Sequence, residues 1–536
     1  MTVDQGRMFM IQNPILKGFC PDPSIVRAGD DYYIAVSTFE WWPGVKLFHS
    51  RDLQNWTQIG AVLTRKSQIN LIGDPTSGGI WAPCLSYDNG RFYLVFTDVK
   101  TKKGRFYNTH NYLVWTDDIQ GEWSEPVYLN SIGFDPSLFH DDDGKKYLIN
   151  MVNGFKGILV QEIDPQTWKL IGEQKKVYAG SGIGCTEGPH MYHIGGWYYL
   201  LTAEGGTGYD HCVTVARSKS VWGPFETDLQ NPLLTSERGR KGALQKCGHG
   251  DLVQTQNGEW YLAHLCARPQ MKENLCVLGR ETAIQKLVLN EDGWFRLKCG
   301  GRYAQNETES PEGAAQGDVQ KEAQEVSMQD NFSIETGWNR WQNGYCSPRR
   351  PLGNDASLNI RDGYLRLIGR ESLNSLHRVT LAAKRQTKLC MEACTRMEFH
   401  PEYEEQLAGI AYMYDAMNFY LFGKTVDVVG NPVLVLLKSD SGVITDEVTP
   451  IRLETDGAVT FRVRTSRDGM KASFSYCQDG VWNTVKEDCT TEILTDEHCR
   501  GFTGAHFGMY VHDMTGLALH ADFAWFYLGE LQEDGK

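Results

Sequence analysis

A chain of 536 residues, 41% hydrophobic and 11% aromatic, is long enough for two well-cored domains. Its formal net charge of −14 argues against nucleic acid and anionic membrane surfaces as partners. No apolar run approaches the roughly 18 residues a spanning helix needs.

The chain starts Met1-Thr2-Val3-Asp4-Gln5-Gly6-Arg7, without a basic segment leading into an apolar one. The expectation is a cytoplasmic protein with no secretory signal. The 14 cysteines fit that reading. Most sit in apolar, strand-like runs, such as Cys84, Cys212, Cys266 and Cys276, and read as reduced buried thiols. Cys390 and Cys394 have no second Cys/His pair nearby that would complete a zinc site.

Through residue 280 one pattern recurs five times: a small or polar residue, an apolar run, a Gly-containing turn, then an aromatic leading into Leu or Ile. Anchored on Tyr33, Tyr93, Tyr147, Tyr199 and Tyr261, the copies are spaced 52 to 62 residues apart. Such self-similarity predicts propeller blades, one small sheet per copy, and five copies predict five blades. Turns such as Asp88-Asn89-Gly90 and Gln256-Asn257-Gly258 join strand-like runs as hairpins. Asp141-Asp142-Asp143-Gly144 has the opening of a calcium loop without its later ligands and reads as a turn. A weaker second repeat carries Trp56, Trp123, Trp168 and Trp222, expected to fill space between blades.

Tyr303 to Gln324 carries few large hydrophobes and reads as an exposed connection. Strand patterns resume near Gln329, as in Tyr364-Leu365-Arg366-Leu367-Ile368, and about 200 residues of short strands predict a β-sandwich. The expected organisation is all-β: a five-bladed propeller over 1–310, a linker over 311–327 and a β-sandwich over 328–536.

The residue 11 or 12 before each anchor is Asp22, Ala82, Asp135, Glu187 and His249. If each begins the innermost strand of its blade, three carboxylates converge on one axis. Stability alone gives a repeat no reason for that. Glycoside hydrolysis does, because it needs one protonated and one ionised carboxyl. Neighbouring carboxylates push each other's pKa values apart and make both states available at one pH. Asp22 and Asp135 each precede a proline, so a turn role is the alternative for either alone.

Several stretches resemble family 43 of the glycoside hydrolases, in the family's order. They are Asn13 to Ile25 around Pro21-Asp22-Pro23, Gly79-Ile80-Trp81-Ala82-Pro83, Gly133-Phe134-Asp135-Pro136-Ser137, Thr186-Glu187-Gly188-Pro189-His190, Gln245-Lys246-Cys247-Gly248-His249 and Leu278-Gly279-Arg280-Glu281-Thr282. The similarity extends over nearly the whole chain and is strongest to the two-domain bacterial β-xylosidase branch. It implies a five-bladed propeller followed by a β-sandwich, and a reaction that inverts the anomeric carbon. It implies Asp22 as general base, Glu187 as general acid, and Asp135 as the carboxylate that tunes the acid and orients the sugar.

The resemblance also implies substrate-binding roles. His249 would be an axial histidine near the sugar, which in some relatives helps hold a divalent cation through water. Gly250 and Asp251 depart from the Ala-Ser expected there, and no metal or other cofactor is expected. Arg280 would reach the sugar and the carboxylates, since a guanidinium can hold two oxygens and stays charged. Phe39 and Trp81 would face the sugar, with a core position as the alternative. Phe502, in Arg500-Gly501-Phe502-Thr503-Gly504, matches a loop of the second domain that closes the site, with a core position as the alternative. His190 and His193 are three apart on a strand, hence on opposite faces, which argues against joint metal ligation.

The resulting expectation is an exo-acting, inverting β-1,4-xylosidase that releases xylose from xylobiose and short xylo-oligosaccharides. Relatives make homo-oligomers an open option. The nearest alternative is α-L-arabinofuranosidase activity, alone or alongside. A retaining fructan hydrolase would carry Asn-Asp-Pro in the first blade, where this chain has Pro21-Asp22-Pro23. A non-catalytic sugar-binding propeller would have no use for three axial carboxylates.

Overall fold

The computed structural model describes residues 9–270, 274–312, 329–333 and 344–531. Five antiparallel sheets follow one another along the first half of the chain. Blade 1 comprises Ser24–Ala28, Asp31–Val36, Gly44–Ser50 and Thr57–Leu63; blade 2 comprises Gly79–Asp88, Arg91–Thr101, Asn108–Thr116 and Val127–Asn130. Blade 3 comprises Gly133–His140, Lys146–Val152, Ile158–Ile163 and Leu170–Tyr178. Blade 4 comprises Glu187–Ile194, Trp197–Glu204, Cys212–Ser218 and Glu226–Thr227, with Leu234–Thr235 also paired to its third strand. Blade 5 comprises Gln245–Gln254, Trp260–Ala267, Glu281–Leu289 and Phe295–Leu297. This is the five-bladed propeller that the repeat predicts.

Apolar side chains between neighbouring sheets hold the ring. Trp123 packs in the cluster that joins Val45 and Leu63 of blade 1 to Leu94 of blade 2, and Trp168 in the cluster that joins blades 2 and 3. The ring is closed twice. Asp251 of blade 5 accepts hydrogen bonds from Ser24 Oγ (2.7 Å) and Ile25 N (2.9 Å) of blade 1. It also accepts one from Tyr192 of blade 4. Asp251 is thus a buried carboxylate that ties three blades together. In addition, Met10–Gln12 pairs with Glu307–Glu309 beyond the last blade. Residues 307–309 therefore belong to a strand, although their composition reads as a connection: the edge of the amino-terminal strand needs backbone partners. Most of the expected linker lies outside the described residues.

The second domain is a two-sheet sandwich. One sheet runs Ala356–Ser357, Leu365–Ile368, His520–Glu530, Met391–Glu398, Val459–Thr465, Lys471–Gln478 and Val481–Thr490; the other runs Thr380–Arg385, His506–Asp513, Gln406–Asp415, Asn418–Val426, Pro432–Asp440 and Val443–Asp446. The strands Gln406–Asp415, Asn418–Val426 and His506–Asp513 of the second sheet are buried on both faces, which explains near-continuous apolar runs such as Gln406 to Asp415. Ile410, Tyr412 and Phe422 face the sandwich core. The alternate residues Ala411, Met413 and Leu421 pack with Phe19, Phe39 and Trp41 of the propeller. The sheet is thereby clamped between the two cores. Gly279 and Gly504 meet backbone to backbone at this seam; both have positive φ, and a Cβ on either would fall within 2.6 Å of the other segment.

All 14 cysteines are free thiols, nine of them buried. Among the described residues no helix is long and apolar enough to cross a membrane. The Asp141–Gly144 segment is a turn, closed by Gly144 N donating to Asp141 O (3.0 Å).

Candidate active site

Each blade presents two segments to the same end of the ring: the start of its first strand and the loop between its second and third. In an antiparallel sheet these lie on one edge. The first set supplies Asp22, Trp81, Phe134 with Asp135, Glu187 and His249, and the second supplies Phe39, Tyr107, Phe155, Gly206 with Thr207, and Arg280. Together with Pro21, Leu265 and Phe502 from the sandwich they line one cavity of about 280 Å³. All eight residues singled out in the sequence line it.

The backbone at the first-strand positions is unusual. Asp22, Ala82, Asp135 and His249 have φ of 50°, 29°, 52° and 49°, a region that residues other than glycine rarely occupy. In blade 4 the equivalent residue is Gly188 (φ 55°), and Glu187 precedes it. The strand ladders skip residues here, between Trp81 and Cys84, Phe134 and Ser137, and Glu187 and His190. Such bulges re-aim side chains at a sheet rim. The left-handed backbone turns Asp22, Asp135 and His249 into the cavity, while Glu187 enters from one residue earlier. Local strain of this kind persists where the surrounding fold over-determines it.

Asp22 Oδ2 accepts from Ser37 Oγ (2.7 Å), and Oδ1 lies 3.5 Å from His249 Nδ1. Asp135 Oδ2 accepts from Gly188 N at 3.0 Å. Gly188 must be glycine, because a Cβ there would come within 2.9 Å of the His249 ring. Burial is the main force raising the Asp135 carboxyl to about 6; His249 opposes it and Asp22 adds to it. Burial also drives Glu187 well above the ordinary carboxylate range, with Asp135 and Asp22 adding to the rise and Arg280 opposing it. This environment favours the protonated form of Glu187, in a pocket it shares with two other carboxyls.

Arg280 is buried; its Nε donates to Asp496 Oδ2 of the sandwich at 3.0 Å. Its guanidinium lies 5.2 Å from the centre of the Phe502 ring. Phe502 stacks on Phe39 at 5.8 Å, and Phe39 on Phe19 at 5.9 Å. Trp81 stands edge-on to Phe39, Phe134 and Phe502. These rings give the pocket flat apolar walls beside a carboxyl-lined centre, the pairing that a sugar's C–H faces and hydroxyls require. His249 belongs to no cluster of three metal-ligating side chains among the described residues.

Tyr107, Phe134, Phe155 and Asp496 were not read from the sequence. Phe134 directly precedes Asp135, as Trp81 precedes Ala82 in the second blade, so a signal for it existed. Tyr107 and Phe155 lie in blade loops without periodicity, and Asp496 is 216 residues from Arg280.

The family model "Glycosyl hydrolases family 43" matches residues 11–295, and "Beta xylosidase C-terminal Concanavalin A-like domain" matches 329–528. Xylosidase/arabinosidase 43B of Humicola insolens is 42% identical, with 98% of each chain covered. A beta-xylosidase of Bacillus subtilis is also 42% identical, covering 96% of this chain and 99% of its own. The crystal structure of xylan beta-1,4-xylosidase from Bacillus halodurans C-125 superposes with a TM-score of 0.92 at 45% identity, over 97% of this chain and all of that one. With matches that span both domains, the chain belongs to family 43 of the glycosyl hydrolases.

Proposed function

We propose that the chain is an exo-acting β-xylosidase that removes xylose from the non-reducing end of xylobiose and short xylo-oligosaccharides by inversion. One observation carries the reading: Glu187 is buried in one cavity with two neighbouring carboxyls, Asp135 and Asp22, and burial and those carboxyls push it toward its protonated form. At about 280 Å³ that cavity is at the small end of ligand pockets and suits one sugar ring better than a polymer cleft. The names of the full-length relatives support the xylose assignment.

In this reading Asp22 accepts a proton from water as the water oxygen attacks C1. The bond from C1 to the leaving oxygen breaks on the opposite face, and Glu187 delivers its proton to that oxygen. The base ends protonated and the acid ionised; exchange with solvent restores both. Ser37 holds one Asp22 oxygen, leaving the other beside His249. Inversion requires the two carboxyls to stand about 6.5–9.5 Å apart, leaving room for the water. Asp135 orients the sugar and, as a neighbouring carboxyl, raises the pKa of Glu187 so that it keeps its proton for the leaving oxygen. Fourteen thiols without a disulfide support a cytoplasmic site of action.

Proton NMR of an aryl β-D-xyloside during turnover tests the reading. Early α-xylose supports both activity and inversion; early β-xylose refutes inversion and makes one carboxyl a nucleophile. A second reading, α-L-arabinofuranosidase activity in the same pocket, is favoured by relatives named for both activities. The arabinofuranoside tested in parallel separates the two.

A further inference from the structure

We propose that Asp496, a carboxylate of the sandwich domain, is the positioning residue for Arg280. The proposal rests on the reading of the cavity as the sugar site.

Arg280 leaves the last propeller loop with no carboxylate of its own domain paired to it among the described residues. Its Nε donates to Asp496 Oδ2 at 3.0 Å, and its Nη1 is buried and has no hydrogen-bond partner among the described residues. A buried guanidinium with an unused donor at a cavity wall is costly unless something fills the cavity. Bound sugar oxygens would fill it. The orientation of that free nitrogen depends on the fixed one, because the guanidinium is planar and rigid.

Asp496 is well built for holding it. Its side chain is 2% exposed. Its second oxygen, Oδ1, accepts from Tyr414 OH at 2.8 Å, and Lys246 Nζ of blade 5 lies 3.4 Å from Oδ2. Asp496 N donates to Cys276 O at 3.0 Å, so backbone as well as side chain is tied to the Arg280 loop. The same Tyr414 hydroxyl accepts from Thr503 N at 3.1 Å, next to Phe502. Phe502 N in turn donates to Ser77 Oγ at 3.3 Å. Gly501 allows this approach: a Cβ there would lie 2.7 Å from Tyr414 OH. One short segment of the second domain, 496–503, therefore both roofs the pocket and sets the angle of its arginine.

A double-mutant cycle tests the proposal, with an aryl β-D-xyloside and the aryl α-L-arabinofuranoside as substrates. Asp496→Ala should lower kcat/KM by about 10²-fold, the cost of a misplaced binding group. The loss should fall more on KM than on kcat, because Arg280 binds and transfers no proton. In the Arg280→Ala background the same change should cost less than about 3-fold, since the group it positions is gone. Asp496→Asn retains an oxygen for Nε and should lie between Ala and wild type, which keeps the test open if the Ala variant folds poorly. Equal fold losses in both backgrounds would make Asp496 merely structural and overturn the proposal. A wild type inactive on both substrates would overturn the sugar-site reading itself, and this proposal with it.

Discussion

Asp135→Asn should make the protein more stable at neutral pH while harming catalysis. The Asp135 carboxyl rises from its ordinary 3.8 to about 6, mainly because it is buried. Its folded value lies above its unfolded one, so the native state binds the proton more tightly. Its contribution is fully present below about pH 4 and is lost as pH rises through about 6. At about 1.4 kcal/mol per pH unit of displacement, the ionised carboxylate costs the fold on the order of 3 kcal/mol above pH 7. Asparagine cannot ionise, yet its oxygen can still accept from Gly188 N. The variant should match wild type near pH 4 and gain up to about that amount at pH 7.5. The assay is urea unfolding followed by fluorescence at both pH values, read as the difference between variant and wild type. A pH-independent difference, or a larger relative gain at low pH, would refute the reasoning. Loss of the charge beside Glu187 should also lower that acid's pKa, so the alkaline limb of kcat/KM should move to lower pH.

The other expectations concern chemistry and assembly. Asp22→Ala should abolish turnover while far-UV circular dichroism and the unfolding midpoint stay near wild type; wild-type rates would remove Asp22 from the mechanism. Glu187→Ala should cost about 10²–10⁴-fold on xylobiose and far less on a nitrophenyl xyloside, whose leaving group needs no proton. Equal losses would argue against Glu187 as the acid. Deleting everything after Gln324 should cripple activity, because it removes Phe502 and leaves Arg280 unpaired. A fully active propeller would refute a role for the second domain. Asp251→Ala should lower stability by about 2–4 kcal/mol, since Ser24 Oγ, Ile25 N and the Tyr192 hydroxyl would lose their acceptor; an unchanged unfolding midpoint would show that the ring closes without it.

The repeat made the propeller legible. Five aromatic anchors at similar spacing fix which residues share a place in each blade, and that place faces the axis. Asp22, Asp135, Glu187 and His249 were found that way, and they line one cavity. The left-handed backbone at Asp22 and Asp135 was not legible, because an Asp before a proline reads equally well as a turn. Tyr107 and Phe155 escaped because a loop between two strands carries no period. Asp496 escaped for a different reason: its partner is set by how two domains dock, and no local pattern encodes that. The strand Glu307–Glu309 was hidden by its polar composition, since it is stabilised by pairing with Met10–Gln12 more than by burial.

The roof contributed by Phe502 also orders events during synthesis. Every carboxyl of the pocket has left the ribosome by Glu187, and the propeller's last strand by Leu297. The residues that cover the cavity and hold Arg280 come some two hundred residues later. A nascent chain, a product of premature termination or a proteolytic amino-terminal fragment would thus carry Asp22, Asp135 and Glu187 without the roof of the cavity. Hydrolysis then reports completed translation and docking of both domains. This makes turnover a stringent readout for libraries in which truncation is common.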